Sequence, residues 1–125
     1  MTELFPFLAV RDVPRAVEFY ANAFGAVETR RDEASGDAVV SLLEIHDRTF
    51  GLATERPDLD TPSPETAGAT TVRIFLQVDD PDAVQARAIA AGATEMFPVA
   101  DQPYGMRQGR VVDPFGHHWL ILKPL

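Results

Sequence analysis

The chain has 125 residues, 46% hydrophobic and 24% charged, with 11 basic against 19 acidic side chains and a formal net charge of −8. This is one domain's worth of chain with enough apolar content for a core, and its acidic balance argues against phosphate-backbone binding, which needs clustered Lys and Arg. The absence of cysteine excludes disulfides, thiolate metal sites and a cysteine nucleophile. No apolar run is long enough for a membrane span, and MTELFPFLAV lacks the basic start of a signal peptide. The expectation is a cytoplasmic protein with neither nucleic acid nor membrane as partner. P-loop, G-x-G-x-x-G and G-x-S-x-G motifs are missing.

Leu4 to Val10 alternates and predicts a strand, with Pro6 marking an edge or a strand start. Asp12 offers a helix N-cap and Pro14 sits in the first turn. Ala16, Val17, Phe19, Tyr20, Ala23 and Phe24 then follow at helical spacing until Gly25 stops the helix. Residues 26–31 read as a weak strand, 32–37 as a polar turn, 38–45 (AVVSLLEI) as a stronger strand, and 49–54 as its return. The stretch 55–69 begins ERPDLDTPSPETAG; with three prolines it reads as a linker between halves.

Residues 70–78 (TTVRIFLQV) predict a strong strand. Asp80 and Pro81 start a second helix that ends at Gly92; 93–99 is a strand and 100–105 (ADQPYG) a loop. Residues 106–122 form a hairpin, in which Arg110-Val111-Val112 and Trp119-Leu120-Ile121-Leu122 flank Asp113-Pro114-Phe115-Gly116. Pro presets a turn there and Gly supplies its positive φ. The two halves repeat: Val10-Arg11-Asp12 lies over Val78-Asp79-Asp80, and after a one-residue gap Pro14 falls on Pro81, Val17 on Val84 and Gly25 on Gly92. Each half reads as a βαβββ module, the first about 1–54 and the second about 70–125, in a single domain of the α+β class.

FPFLAVRDVPRAVEFYANAFGA and GRVVDPFGHHWLILKP resemble the opening and closing signatures of the vicinal oxygen chelate superfamily, the glyoxalase, bleomycin-resistance and extradiol-dioxygenase group. The resemblance spans essentially the whole chain. It implies two βαβββ modules curled into a mixed sheet that forms a cup, helices outside, a ligand in the cup and a homodimer. Metal-using members carry His or Gln five residues before the Val of V-x-D, which here are Phe5 and Arg73. They carry Glu in the last strand of each module, which here falls on Leu120 and, by a less direct alignment, about Gly51. None of these side chains is a ligand for a divalent ion, and Arg73 places a permanent cation where the ion would sit. His46 lies in a turn, and the adjacent His117 and His118 point to opposite strand faces. No metal and no cofactor are therefore expected.

Strand alternation sets Leu8, Val10, Val72, Ile74, Leu76 and Val78 against the helices. It sends Phe5, Phe7, Arg73, Phe75 and Gln77 into the cup, with Leu120 and His118 sharing that face and Trp119 in the core. Tyr104, in the loop 101–107, is expected at the cup's lip. Rings beside a guanidinium and an amide suit an apolar or aromatic ligand carrying a carboxylate, phosphate or carbonyl. Alternatively, the phenylalanines are core and Arg73 pairs with Glu3, Glu44 or Asp47. The functional reading is a metal-free small-molecule binding protein of the bleomycin-resistance kind, serving sequestration or sensing. The alternatives are a metal-dependent lyase, isomerase or dioxygenase of the same superfamily, using His118, Glu44 or Glu95, and metal-free acid–base catalysis by His118 or an acid.

Overall fold

The computed structural model describes residues 1–36 and 38–125. Its first module runs β1 (Phe7–Val10), α1 (Val13–Phe24), β2 (Val27–Ser35), β3 (Ala38–Ile45) and β4 (Arg48–Thr54). These strands form a sheet of order β1-β4-β3-β2 in which only β1 and β4 run parallel. A short helix, α2 (Pro64–Ala67), lies between the modules. The second module is β5 (Arg73–Gln77), α3 (Pro81–Ala91), β6 (Thr94–Asp101), β7 (Met106–Val112) and β8 (His118–Pro124), in the equivalent order β5-β8-β7-β6. The internal repeat is thus a repeat of topology: two curled, open sheets of α+β type.

Local chemistry places the helices. The Asp12 carboxylate accepts the Arg15 N–H at 3.1 Å, and that of Asp80 accepts the Ala83 N–H at 3.1 Å, each satisfying a first-turn donor that the helix leaves orphaned. Gly25 ends α1 in the left-handed region at φ 69°, where a side chain would be strained. Several expectations change in extent: β1 begins at Phe7 rather than Leu4, so Phe5 precedes the strand, and β5 spans Arg73–Gln77 rather than 70–78. β2 continues to Ser35, through most of the expected turn, because its pairing with β3 persists across two bulges; Asp37 of that turn lies outside the described residues. The stretch 55–69 is not featureless, since it holds a 3₁₀ turn (Pro57–Leu59) as well as α2. Glu55 accepts the Ser63 N–H at 2.8 Å and the Thr66 hydroxyl at 3.0 Å, and Arg11 donates to the same Thr66 oxygen. Pro64 packs so closely on Gly116 that a Cβ there would lie 2.7 Å from it. The polar linker is therefore a clasp between the end of β1 and the β7–β8 turn.

One core joins the modules. Tyr20 and Phe24 of α1 reach Trp119 of β8, with ring centroids 5.4 and 4.7 Å apart, and Tyr20 also meets Phe50 of β4 edge-on. Trp119 is 1% exposed, in the core as its strand parity requires. Burying rings of this size contributes roughly 2–3 kcal/mol each. Arg87 of α3 donates to the Asn22 carbonyl at the end of α1, which the helix leaves open, and more distantly to that of Ala21, which also accepts the Gly25 N–H. The helices cover one face of each sheet, and the opposite faces are left as two hollows. Among the described residues, no helix is long and apolar enough to cross a membrane.

Candidate functional site

Asp113 shapes the site from beneath. It is buried, and it accepts the main-chain N–H groups of Phe115 and His117, both at 2.9 Å, the Trp119 indole N–H at 2.9 Å and the Tyr20 hydroxyl. This locks the β7–β8 turn against α1 and fixes hairpin register. Leu120 therefore faces Arg110, and His118 faces Val112. The parallel pairing of β5 with β8 sets Arg73 beside His118 and Phe75 beside Leu120.

The resulting hollow in the second sheet has a volume of about 370 Å³. Arg73, Arg110 and Leu120 line it, together with Phe97 and Pro98 of β6, Gln108, and Tyr104 at the rim. Tyr104 donates to the Gln108 side-chain oxygen at 3.1 Å. Phe97 and Pro98 reach the hollow through a bulge: Phe97 pairs with Arg110, but the next pair is Ala100 with Gln108. The side chain of Gln85, on α3, occupies the space over Gly109 that a Cβ would fill, and donates to the Phe97 carbonyl at 2.8 Å, holding the bulge from behind. Arg110 donates from Nε to His118 Nδ1 at 3.1 Å. Burial and then the Arg110 charge hold the His118 imidazole below its ordinary pKa, which favours the neutral ring.

The first sheet has its own hollow, of about 260 Å³, lined by Phe5, Phe7, Arg30, Asp32, Val40 and Leu42. Phe5 and Phe7 rings lie 5.9 Å apart. Phe75 and Gln77 flank a third space of about 400 Å³ between the modules, alongside Leu8, Phe50 and Trp119. Within one chain, then, Arg73, Tyr104 and Leu120 come together, with His118 next to Arg73. Phe5 and Phe7 lie in the other hollow, and Phe75 and Gln77 lie at the inter-module edge. The eight expected ligand contacts do not meet in a single cup inside one protomer. Among the described residues no carboxylate pairs with Arg73, so the ion pair with Glu3, Glu44 or Asp47 does not form.

Metal-ligand positions of the fold can be tested directly. Phe7 pairs with Gly51, and its ring covers that glycine: a Cβ at Gly51 would lie 2.5 Å from Phe7 Cε1. At the matching places in the second module stand Phe75 and Leu120. Phe5, Gly51, Arg73 and Leu120 offer no donor that fits a divalent ion. Among the described residues, no three of His, Asp and Glu gather closely enough to hold one. His117, 8% exposed, puts Nε2 at 2.9 Å from the Ala9 carbonyl, on the opposite side of the sheet from His118. Arg110, Phe97, Pro98 and Gln108 escaped the sequence reading. Arg110 was reachable, because counting outward from the Asp113–Gly116 turn pairs it with Leu120. Phe97 was not, because its direction depends on a bulge.

Comparison with known proteins bears on this architecture. The model of the Glyoxalase/Bleomycin resistance protein/Dioxygenase superfamily matches residues 4–121. The chain belongs to that superfamily. An uncharacterized protein of Mycobacterium bovis is 40% identical over 126 residues, covering 98% of this chain and 83% of the relative. The solved structure of a gene product from Arabidopsis thaliana is 30% identical with a TM-score of 0.77, covering 97% of this chain and 98% of the other. TioX from Micromonospora sp. ML1 is 27% identical with a TM-score of 0.73, covering 99% and 97%. The superfamily fold includes the paired βαβββ modules, and this member keeps both while carrying rings and guanidinium groups in its hollows.

Proposed function

We propose that this superfamily member is a metal-free binding protein that holds an amphipathic or aromatic small molecule in a cup shared by two copies of the chain. The observation that carries the reading is the hollow of the second sheet, where Arg73 and Leu120 stand at positions that the superfamily resemblance assigns to metal ligands, and an apolar wall faces two guanidinium groups that have no carboxylate partner among the described residues. Such a surface binds and orients a ligand and supplies no Lewis acid.

The shared cup follows from exposure. Phe7 is 52% exposed, Phe75 58% and Phe97 55%, and β1 and β5 each leave one edge unpaired. Large rings in water and open strand edges are what a second copy would cover. Setting the first sheet of one copy against the second sheet of its partner would bring Phe5 and Phe7 over Arg73, Tyr104, His118 and Leu120, with Phe75 and Gln77 on the edge strand β5 of that same second sheet. The use proposed is sequestration or sensing inside the cytoplasm. An antibiotic is one class of guest, as the bleomycin resistance branch of the superfamily is named.

The test is native mass spectrometry and equilibrium sedimentation of untagged protein, with and without chelator. The expected result is a dimer of the 13.7 kDa chain that releases a small organic molecule on denaturation and is unchanged by chelator. A stoichiometric transition metal whose removal lowers stability would overturn the reading.

A further inference from the structure

Charge is distributed unevenly among the arginines. Arg11, Arg31, Arg48, Arg56 and Arg107 each pair with a carboxylate. Arg15 lies 5.9 Å from the centroid of the Phe115 ring, Arg87 donates to the end of α1, and Arg30 lines the first sheet's hollow together with Asp32. Arg73 and Arg110 have no carboxylate partner among the described residues, although the chain carries a net charge of −8. Both line the hollow of the second sheet, and no acidic side chain lines it with them.

Between them stands His118. It is the register neighbour of Arg73, and its Nδ1 accepts from Arg110. An imidazole that accepts at Nδ1 carries its proton on Nε2, so His118 is fixed as a neutral donor. Three donor groups from β5, β7 and β8 are thus contiguous on one face, and none of them can accept from a ligand while Nδ1 is occupied. Arg110 acts here as the positioning residue for His118 as well as a cation.

We infer that Arg73, His118 and Arg110 form a seat for an oxyanion, so that the guest of this cup is an apolar-bodied carboxylate or phosphonate rather than a neutral carbonyl compound. This deepens the proposed function and rests on its reading of the hollow as a ligand site. A lone carbonyl oxygen would leave at least one guanidinium uncompensated when the cup is covered, which is costly in a low-dielectric site. An oxyanion presents two or three acceptors to planar guanidinium forks and forms charge-assisted bonds with both. Leu120 and Phe97 provide the wall for the apolar body.

The test uses matched probes on the full chain: 2-naphthoate, its neutral amide 2-naphthamide, and methylphosphonate, by calorimetry. Naphthoate is expected to bind at least tenfold tighter than naphthamide. R73Q and R110Q each should erase most of that ratio, naphthoate losing far more affinity than naphthamide. In addition, ¹⁵N NMR should find the Nε2–H tautomer of His118 in the native chain and a mixed ring population in R110Q. Equal affinity for naphthoate and naphthamide overturns the oxyanion seat and leaves the apolar-ligand reading standing. If neither naphthyl probe binds but methylphosphonate does, with loss in R73Q, the seat stands and the apolar guest falls. No binding by any of the three overturns both.

Discussion

Only 4% exposed, Asp113 is surrounded by four donors and has no ion-pair partner among the described residues. Hydrogen bonds to a charged acceptor are the stronger kind, and a donor left facing another donor costs its full desolvation. Asp113→Asn keeps the shape but turns an amide N–H₂ towards at least one donor. It should lower stability by about 3 kcal/mol in urea denaturation. The same pocket controls Tyr20. Complete burial, and next the Asp113 charge, push its phenol well above the ordinary tyrosine range. The unfolded chain releases this proton near pH ~10 and the folded chain does not, so the contribution is present below that pH and lost as pH rises above it. In a Tyr104→Phe background, phenolate absorbance should therefore appear only together with unfolding, and appearance before unfolding would contradict the assignment. At this scale the sequence showed the DPFG turn and the parity of Trp119. It did not show that Asp113 gathers Tyr20, because that contact spans 93 residues of chain.

The segment between β6 and β7 is held from outside the site. Arg107 donates to both oxygens of Asp82 on α3 at 2.7 Å and to Asp101 at 2.9 Å. The Asp82 bonds first, and then those to Asp101, raise the Arg107 pKa further above its already high range, so the clamp keeps its charge at every working pH. Arg107→Ala should leave the core intact but speed amide exchange at Tyr104 and Gly105 and shorten ligand residence, read by exchange mass spectrometry and dissociation rates. Unchanged exchange at those two amides would count against the clamp. Elements were legible to the extent that their signals were local. Asp12 with Pro14 and Asp80 with Pro81 marked both long helices, and Gly25 and Gly92 their ends. α2 has local signals of its own, a Ser63 cap, Pro64 in the first turn and Gly68 at the end. It is only four residues long and sits among three prolines, so the stretch reads as linker, and Glu55 and Arg11 supply the rest of its support. Alternation fixed which way Arg73 points, yet it could not tell that Phe7 and Arg73 belong to different hollows, since that depends on how whole sheets are set.

Across the whole molecule, that separation supplies the sharpest test of the shared cup. If each cup joins the first sheet of one copy to the second sheet of another, Phe7 and Arg73 in any one cup come from different chains, and a variant in either kills both cups of its own homodimer. Take Phe7→Ser and Arg73→Gln, each of which should bind naphthoate weakly alone. Mixed, dissociated in mild urea and reassociated, they give heterodimers in which one cup carries both changes and the other carries neither. Random pairing makes half the dimers mixed, so about a quarter of all cups should regain native affinity. A side-by-side dimer with each cup built from one chain yields no native cup on mixing, whatever the ratio. Recovery to roughly a quarter of native capacity at unchanged Kd therefore identifies module exchange. Absence of recovery, when mass spectrometry confirms that heterodimers formed, places both sheets of the cup in a single chain and removes the shared cup from the proposal. Open edges at β1 and β5 and the exposed Phe7 and Phe75 rings favour the exchanged arrangement, because it buries both edges and both rings in the contact that closes the site.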